Sequence, residues 1–496
     1  MKILLVNPPF RRMTGMADFY YPAGLASLAA VCKDLGHEVI VYDVDRSSKK
    51  QGSLSYGTEY YQMENYLKVI NDSYNPLWIE IREFISRYNP DIVGIRAQTT
   101  TYISAAKTAE NTKMANRNIK VIMGGPHPTI RPLQVLEDEN VDFVVTGEGE
   151  ITLRELLDDI KVNKNEYKSI PGLYYKVNGK IENTGIRKFV ENADLLPLPD
   201  RASLKYLKNY SSEDLGVIMA SRGCPFSCSY CFSMWGKKVR YRTVKNVLEE
   251  VKQVKKNYST YQFSFKDDTF TLNKKWINEF CGELLSKNIK INWDCTTRAD
   301  TLDDDLLRIM KKSGCNVIKL GVESGSKKIL EDLKKGETMD EIRQTAKLLN
   351  KHNIYWSAYF IFGLPQETEK DIELTCDFMR ELNPPYASIG PYKAFPNTNL
   401  FNQGVEMGIL KEDMQREEYF KINPLDYYYK NPEKRTITIN KEQFEKISEK
   451  VLGIFDSNNK RFYSLFRRGL ARKDVYINNP LMLKSDFGKL ISWMKK

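Results

Sequence analysis

The sequence lacks the long apolar run that a membrane-spanning helix needs, since nowhere do about 20 predominantly apolar residues follow one another. Its start, Met1-Lys2-Ile3-Leu4-Leu5-Val6, runs straight into Asn7-Pro8-Pro9 without the apolar core of a secretory leader. It is poor in histidine, with 3 in 496 residues, and its 8 cysteines are not spread in pairs over a small domain. That distribution excludes a disulfide-stapled secreted framework and leaves the thiols reduced, so a cytoplasmic location is expected. Biased tracts are missing too, while 42% hydrophobic and 11% aromatic residues suffice to build cores. The length exceeds one ordinary core, and two or three domains are expected.

The formal net charge is +11, and residues 411–496 hold 19 Lys+Arg against 12 Asp+Glu, which places +7 of it near the C-terminus. No nucleic-acid motif accompanies the excess. Pairs such as Arg467-Arg468 and Lys495-Lys496 read as a solvated face, so nucleic acid is not the expected partner.

Residues 1–160 alternate short apolar runs with helical patterns. Ile3-Leu4-Leu5-Val6, Glu38-Val39-Ile40-Val41-Tyr42, Asp91-Ile92-Val93-Gly94-Ile95, Lys120-Val121-Ile122-Met123 and Asp142-Phe143-Val144-Val145 read as buried parallel strands of a doubly wound α/β sheet. Ligands of such sheets bind beyond the carboxyl ends of the strands, which directs attention to four segments. These are Asn7-Pro8-Pro9, residues 96–101 with Thr99 and Thr100, Gly124-Gly125-Pro126-His127-Pro128, and Thr146-Gly147-Glu148-Gly149-Glu150. Their glycines either let backbone approach a bulky ligand or simply serve tight strand-to-helix turns. His127 is either a ligand-facing group or a loop residue bonded to backbone.

Residues 161–205 hold no long apolar period and end in Leu195-Leu196-Pro197-Leu198-Pro199-Asp200, which reads as a connector. From 206 to 405 a second series begins, with strand-like runs near Val217, Tyr261, Lys290, Val317, Trp356 and Ala387 and helices between them. Six βα units fit a partial barrel with its chemistry at the carboxyl ends of the strands. Residues 406–496 read as mainly helical: Phe444, Ile447, Val451 and Phe455 form an amphipathic stripe, continued by Phe462, Leu465 and Phe466, that packs on the barrel or helps to close its pocket.

Three of the cysteines are clustered, in Cys224-Pro225-Phe226-Ser227-Cys228-Ser229-Tyr230-Cys231 just after the first barrel strand. Three thiolates on one loop reach three corners of one metal centre. A structural zinc needs a fourth ligand, and no histidine or second cysteine pair lies nearby in sequence. A four-iron cluster with three protein ligands leaves one iron open for a substrate or cofactor. Cys32, Cys281, Cys315 and Cys376 read as small buried hydrophobes, and Cys295 lies near the predicted barrel mouth.

This motif, a Cys, three residues, a Cys, two residues and a Cys with the aromatic Tyr230 before the third, resembles that of the radical S-adenosylmethionine (SAM) enzymes. The resemblance implies a four-iron four-sulfur cluster whose open iron binds the amino and carboxylate groups of SAM, and an external one-electron reductant of flavodoxin or ferredoxin type. In Phe265-Lys266-Asp267-Asp268-Thr269-Phe270, where the family often carries Gly-Gly-Glu, Asp267 and Asp268 can accept from the SAM amine. Arg298, at the end of the third barrel strand, pairs with the SAM carboxylate or forms a structural ion pair. Glu323 and Ser324, after the fourth, are expected to meet the ribose, and Gly363, after the fifth, the adenine, with Tyr230 of the cysteine loop also expected among the SAM contacts.

The first sheet, with Gly124-Gly125 placed after Gln98-Thr99-Thr100 and the segment Tyr21-Pro22-Ala23-Gly24-Leu25, resembles the cobalamin-binding domain fused to a large class of these enzymes, over residues 1 to about 405 in all. That resemblance implies cobalamin contacts at Thr99, Thr100, Gly124, Gly125, Pro126, His127, Gly147 and Glu148. The Asp-x-His-x-x-Gly motif that supplies a lower cobalt ligand elsewhere is absent after the first strand, and His127 sits in the wrong loop for that role. The activity implied is methyl transfer to an unactivated carbon of a small-molecule or peptide substrate, with no residue singled out as catalytic. Three alternatives share parts of the pattern: a cyclase or oxidase of the anaerobic porphyrin-cyclase type, a radical SAM enzyme that has lost cobalamin, and a non-catalytic cobalamin sensor. A methylthiotransferase would normally bring three further cluster cysteines in its N-terminal domain, where this chain has only Cys32.

Overall fold

The computed structural model describes residues 1–15, 20–47, 63–164, 166–431, 434–478, 480, 483–484 and 486–488. They form two compact units, residues 1–215 with 413–427, and residues 216–412 with 428–496. Among the described residues no helix is long and apolar enough to cross a membrane.

The first unit is built on a seven-stranded sheet. Its parallel strands are β1 (Lys2–Asn7), β2 (Glu38–Asp43), β3 (Ile92–Arg96), β4 (Lys120–Gly124) and β5 (Phe143–Val145), in the order β2-β1-β3-β4-β5. Ile3, Leu4, Val6, Val41, Val93, Val121 and Val144 are fully buried, as strands covered by helices on both faces require. The winding reverses where β1 lies between β2 and β3, the place at which such sheets open a crevice for ligands.

Residues 161–205 are not merely a connector. They contribute β6 (Leu173–Val177) and β7 (Lys180–Asn183), which extend the sheet antiparallel from β5. The signal was local: Leu173 and Tyr175 alternate inward, and Asn178 and Gly179, with φ of 49° and 76°, make the tight turn that Asn-Gly favours between strands.

The second unit holds the expected six parallel barrel strands, β8 (Val217–Ile218), β11 (Gln262–Phe265), β12 (Asn292–Thr297), β13 (Cys315–Glu323), β14 (Tyr355–Phe362) and β15 (Tyr386–Pro391), paired in the order β15-β14-β13-β12-β11-β8. Between β8 and β11 lies an antiparallel pair of two-residue strands, β9 (Ser221–Arg222) and β10 (Arg240–Tyr241). Phe263, Phe265, Trp293, Ile318 and Trp356 turn to the helix side and are fully buried, each side chain stabilising the fold by about 1.5–3 kcal/mol.

Between the two readings of the C-terminal stripe, packing is what is seen. Ile447, Val451 and Phe455 are buried on the helix Lys441–Lys460, Phe455 meets Phe360 edge-on at 5.3 Å, and Phe444 stacks on Phe362 at 5.6 Å. Asn459 completes the sheet margin, accepting from the Ala387 N–H at 2.8 Å and donating to its carbonyl at 2.7 Å. Phe462 and Phe466, in contrast, lie exposed.

Candidate functional site

The cysteine loop is made by the chain around it. β9 and β10 pair Ser221 with Tyr241 and Arg222 with Arg240, so residues 223–239 are thrown out as one loop. Gly223 starts it at φ 103°, where a Cβ would lie 2.4 Å from the Lys238 carbonyl oxygen, so only glycine fits. The Cys224 N–H donates to the Gly236 carbonyl and the Cys231 N–H to the Cys228 carbonyl, both at 3.1 Å. Cys224 and Cys228 are half-buried and Cys231 is exposed, whereas Cys32, Cys281, Cys295, Cys315 and Cys376 are buried. Cys295, expected near the mouth, is fully inside the core.

Among the described residues no three His, Cys, Asp or Glu side chains are drawn together as around a single ion. The donor set still fits an iron–sulfur cluster chemically: three soft thiols on an accessible loop. Burial raises the Cys231 thiol to about 11 and lifts that of Cys228 as well, and the positive charges of Lys335 and Arg298 pull Cys228 back down. The two cations beside the middle thiol are themselves paired with Glu323, Glu337 and Asp300.

Behind the loop lies a buried array of charges. The Tyr230 hydroxyl donates to Glu323 Oε1 at 2.8 Å, and Lys335 Nζ donates to the same oxygen at 3.2 Å. Lys335 also pairs with Glu337 at 3.2 Å, and the side chains of both are nearly or fully inaccessible. Burial pulls the Lys335 ammonium down, but Glu323 and Glu337 outweigh it and hold it above its ordinary value. Burial first, then the Glu323 charge, pushes the Tyr230 phenol far up, so it stays a donor.

The expected SAM contacts separate in this geometry. Glu323 and Tyr230 converge beside Cys228. Asp267 is fastened elsewhere: it accepts from Ser221 Oγ at 2.6 Å and from the Ala220 N–H at 3.2 Å, clamping the start of the cysteine loop to β11. Asp268 is exposed, within 3.4 Å of Ser233 Oγ on the cysteine loop. Arg298 is held by Asp300 at 2.6 Å and by the Lys335 carbonyl at 2.8 Å, with its guanidinium 3.7 Å above the Phe226 ring. Ser324 is buried and bonded to Thr375 at 3.0 Å, as a turn residue. The Gly363 and Leu364 N–H groups donate to Glu367, which burial raises to about 8, so the turn after β14 is clasped by its own acid.

Sequence reasoning missed Lys335 and Glu337. They lie on the turn after the helix Lys327–Asp332 with no periodic signal, and only a charged pair flanking Gly336 could have drawn attention to them.

In the first unit the loops after β3 and β4 are zipped together. The Ala97 N–H donates to the Gly124 carbonyl at 2.8 Å and the His127 N–H to the Ala97 carbonyl at 3.2 Å. Gly125 has φ 112°, and a Cβ there would stand 2.8 Å from the Ala97 carbonyl oxygen. Thr99 opens the turn that Thr100 continues, and its hydroxyl lies 3.4 Å from His127 Nδ1. Pro126 starts the short helix that carries His127, whose ring is fully buried 4.2 Å from Tyr102 and is driven by burial to about 3, hence neutral. Gly147 follows β5 at φ 69°, and Glu148 turns aside to accept from the Val190 N–H at 2.7 Å. Asn7, Asp43 and Arg96, at the ends of β1, β2 and β3, are joined by bonds of 2.9 and 3.3 Å, a polar group of which the sequence singled out Asn7 and Arg96 but not Asp43.

Residues 218–379 match the family described as the Radical SAM superfamily, and residues 15–157 match the B12 binding domain. An uncharacterized methyltransferase of Pyrococcus horikoshii is 33% identical over 435 residues, covering 86% of this chain and 87% of that protein. The anaerobic magnesium-protoporphyrin IX monomethyl ester cyclase of Rubrivivax gelatinosus is 30% identical over 357 residues, 70% of this chain and 63% of the cyclase. The structure of the radical SAM methyltransferase TsrM of Kitasatospora setae superposes with a TM-score of 0.65 and 17% identity, covering 82% of this chain and 76% of that one, a likeness of fold.

Proposed function

We propose that this chain, which belongs to the radical SAM enzymes that carry a B12-binding domain, transfers a methyl group to an unactivated carbon of a small-molecule or peptide substrate. Its cofactors are those of the family: a four-iron four-sulfur cluster, SAM and cobalamin. The observation that carries the reading is the accessible three-thiol loop set beside the buried Glu323–Lys335 pair, in a chain whose other unit is the B12-binding fold.

When bound, the cluster with SAM supplies one-electron chemistry that removes a hydrogen atom from an unreactive carbon, and cobalamin supplies the methyl donor. The chain's part is to hold, orient and exclude water. Cys224, Cys228 and Cys231 hold the cluster. Glu323 Oε1 is occupied by Tyr230 and Lys335, which leaves Oε2 to accept from a ligand hydroxyl or amine. Lys335 has three N–H donors, two of which serve Glu323 and Glu337, and the third would be offered to the SAM carboxylate. Arg298, already paired with Asp300, supports the cysteine loop through Phe226 instead of meeting that carboxylate. Asp268, exposed where Asp267 is not, is the acceptor for the SAM amine. In the first unit the strand ends around Gly124 and Gly125 would receive the corrinoid. An external reductant of flavodoxin or ferredoxin type delivers the electron.

The likeness to the cyclase sustains a second reading, ring closure or oxidation. The two differ in stoichiometry. Methyl transfer yields S-adenosylhomocysteine and 5'-deoxyadenosine in equal amounts, with label from the SAM methyl in the product. Cyclisation yields 5'-deoxyadenosine without matching S-adenosylhomocysteine. Equal co-production that persists in cobalamin-free protein would sink the cobalt route.

A further inference from the structure

Residues 413–427 follow the barrel in the sequence, yet they fold as part of the first unit. The chain leaves the second unit after Glu412 and re-enters it at Tyr428, and the excursion is closed at its neck by the Lys411 N–H donating to the Tyr428 carbonyl at 2.7 Å. We propose that this segment is a brace for the corrinoid-binding edge of the first unit, with Tyr419 as the residue that positions the loops carrying Thr99 and His127. The proposal rests on cobalamin binding at that edge.

The attachments are polar at the flanks and aromatic at the centre. Arg416 pairs at 2.9 Å with Asp138, whose side chain is 2% exposed, and Arg131 pairs with Asp413 at 3.5 Å. Gln134 donates to the Met414 carbonyl and accepts from the Tyr419 hydroxyl at 3.3 Å. Tyr419, fully buried, stands edge-on to Tyr102 at 5.2 Å and to His127 at 5.9 Å. His127 in turn lies against Tyr102 and reaches Thr99. The Thr99 hydroxyl and His127 Nδ1 are 3.4 Å apart, a long and weak bond, so the side-chain part of this junction relies on the ring stack.

The consequence is preorganisation. A ligand that meets an already ordered loop does not bear the cost of ordering it, so a residue that never touches the ligand can still set its affinity. Each aromatic pair contributes about 0.5–1.5 kcal/mol. Loss of the Tyr419 ring removes its contacts with Tyr102 and His127, and a third with Tyr427 inside the segment, while leaving Gly124, Gly125 and their backbone bonds in place.

The test is titration of the full-length, cluster-containing protein with hydroxocobalamin, followed by its visible absorbance. Tyr419→Ala is expected to weaken binding by about tenfold or more, with iron content unchanged because the cysteine loop belongs to the second unit. Tyr419→Phe keeps the ring contacts, losing only the hydroxyl bond to Gln134, and should stay within about twofold of wild type. Should Tyr419→Ala not fold, Arg416→Ala, which removes the pair to the buried Asp138 and the contact with the Phe420 ring, takes its place and is expected to cost about fivefold or more. Wild-type affinity in the variant used overturns the brace and leaves the cobalamin reading intact. An equal loss in Tyr419→Phe overturns the ring-stack argument. A wild-type protein that ignores hydroxocobalamin overturns both readings.

Discussion

Glu323 ends β13 in the left-handed backbone region, at φ 69°, with its Oε1 3.2 Å from the ammonium of Lys335. A glutamate rarely adopts that conformation, which costs about 1–3 kcal/mol and persists only where surrounding contacts hold it. Here the holders are Lys335 and Tyr230, so the buried carboxylate that ends β13 is tied to a residue of the cysteine loop.

Replacing Lys335 by Met should therefore weaken SAM binding by tenfold or more while the protein keeps its cluster. The loss in affinity follows from the missing N–H donor, whereas leaving Glu323 and Glu337 without their shared cation lowers the stability of the fold by about 3–5 kcal/mol. Lys335→Arg should recover part of the affinity. Equilibrium dialysis with labelled SAM, beside iron and sulfide analysis, separates the two effects, and wild-type SAM affinity in Lys335→Met would refute the assignment.

Single alanine replacements of Cys224, Cys228 or Cys231 should abolish the visible absorbance of the reconstituted cluster together with SAM cleavage. Cys376→Ala, a change at a buried thiol far along the chain, should leave both intact. Four irons retained in the triple alanine variant would end the cluster assignment.

A bulky side chain at Gly125 has no room, because it combines φ 112° with a backbone oxygen 2.8 Å from the Cβ position. Gly125→Val should lose corrinoid binding and destabilise the first unit by about 1–3 kcal/mol, with iron content unaltered. Unchanged hydroxocobalamin affinity in this variant would count against the cleft as the binding place.

Glu367 supplies a pH signature. Burial raises its carboxyl from 4.5 to about 8, so the folded state keeps a proton that the unfolded chain has released. Its contribution to stability is fully present below 4.5 and is lost as the pH rises through about 8. Glu367→Gln keeps an acceptor for the Gly363 and Leu364 N–H groups and cannot ionise. Its melting temperature should thus gain on that of wild type as the pH climbs from 5 to 8. Parallel curves for the two proteins would show that the acid is not held neutral.

Whatever rests on short-range pattern was legible in the sequence. The six barrel strands start within about two residues of their expected positions, because a buried parallel strand is a local apolar run. The cysteine loop follows from spacing alone. The hairpin at Asn178-Gly179 was equally local and was passed over, hidden by the prolines further along. Tertiary structure decided which charge meets which. Arg298 is drawn off by Asp300 two positions away, while Lys335, twelve positions beyond Glu323, turns back to it through a helix and a turn. It also decided that Asp267 is a clamp where its neighbour Asp268 is exposed, since the chain turns at Asp268 just past the end of β11, and Asp267 alone is fastened to Ser221 and Ala220. The recruitment of residues 413–427 to the first unit belongs to the same class. Ion pairs and ring contacts between positions nearly three hundred residues apart leave no periodicity in the chain, and only folding brings Tyr419 to His127.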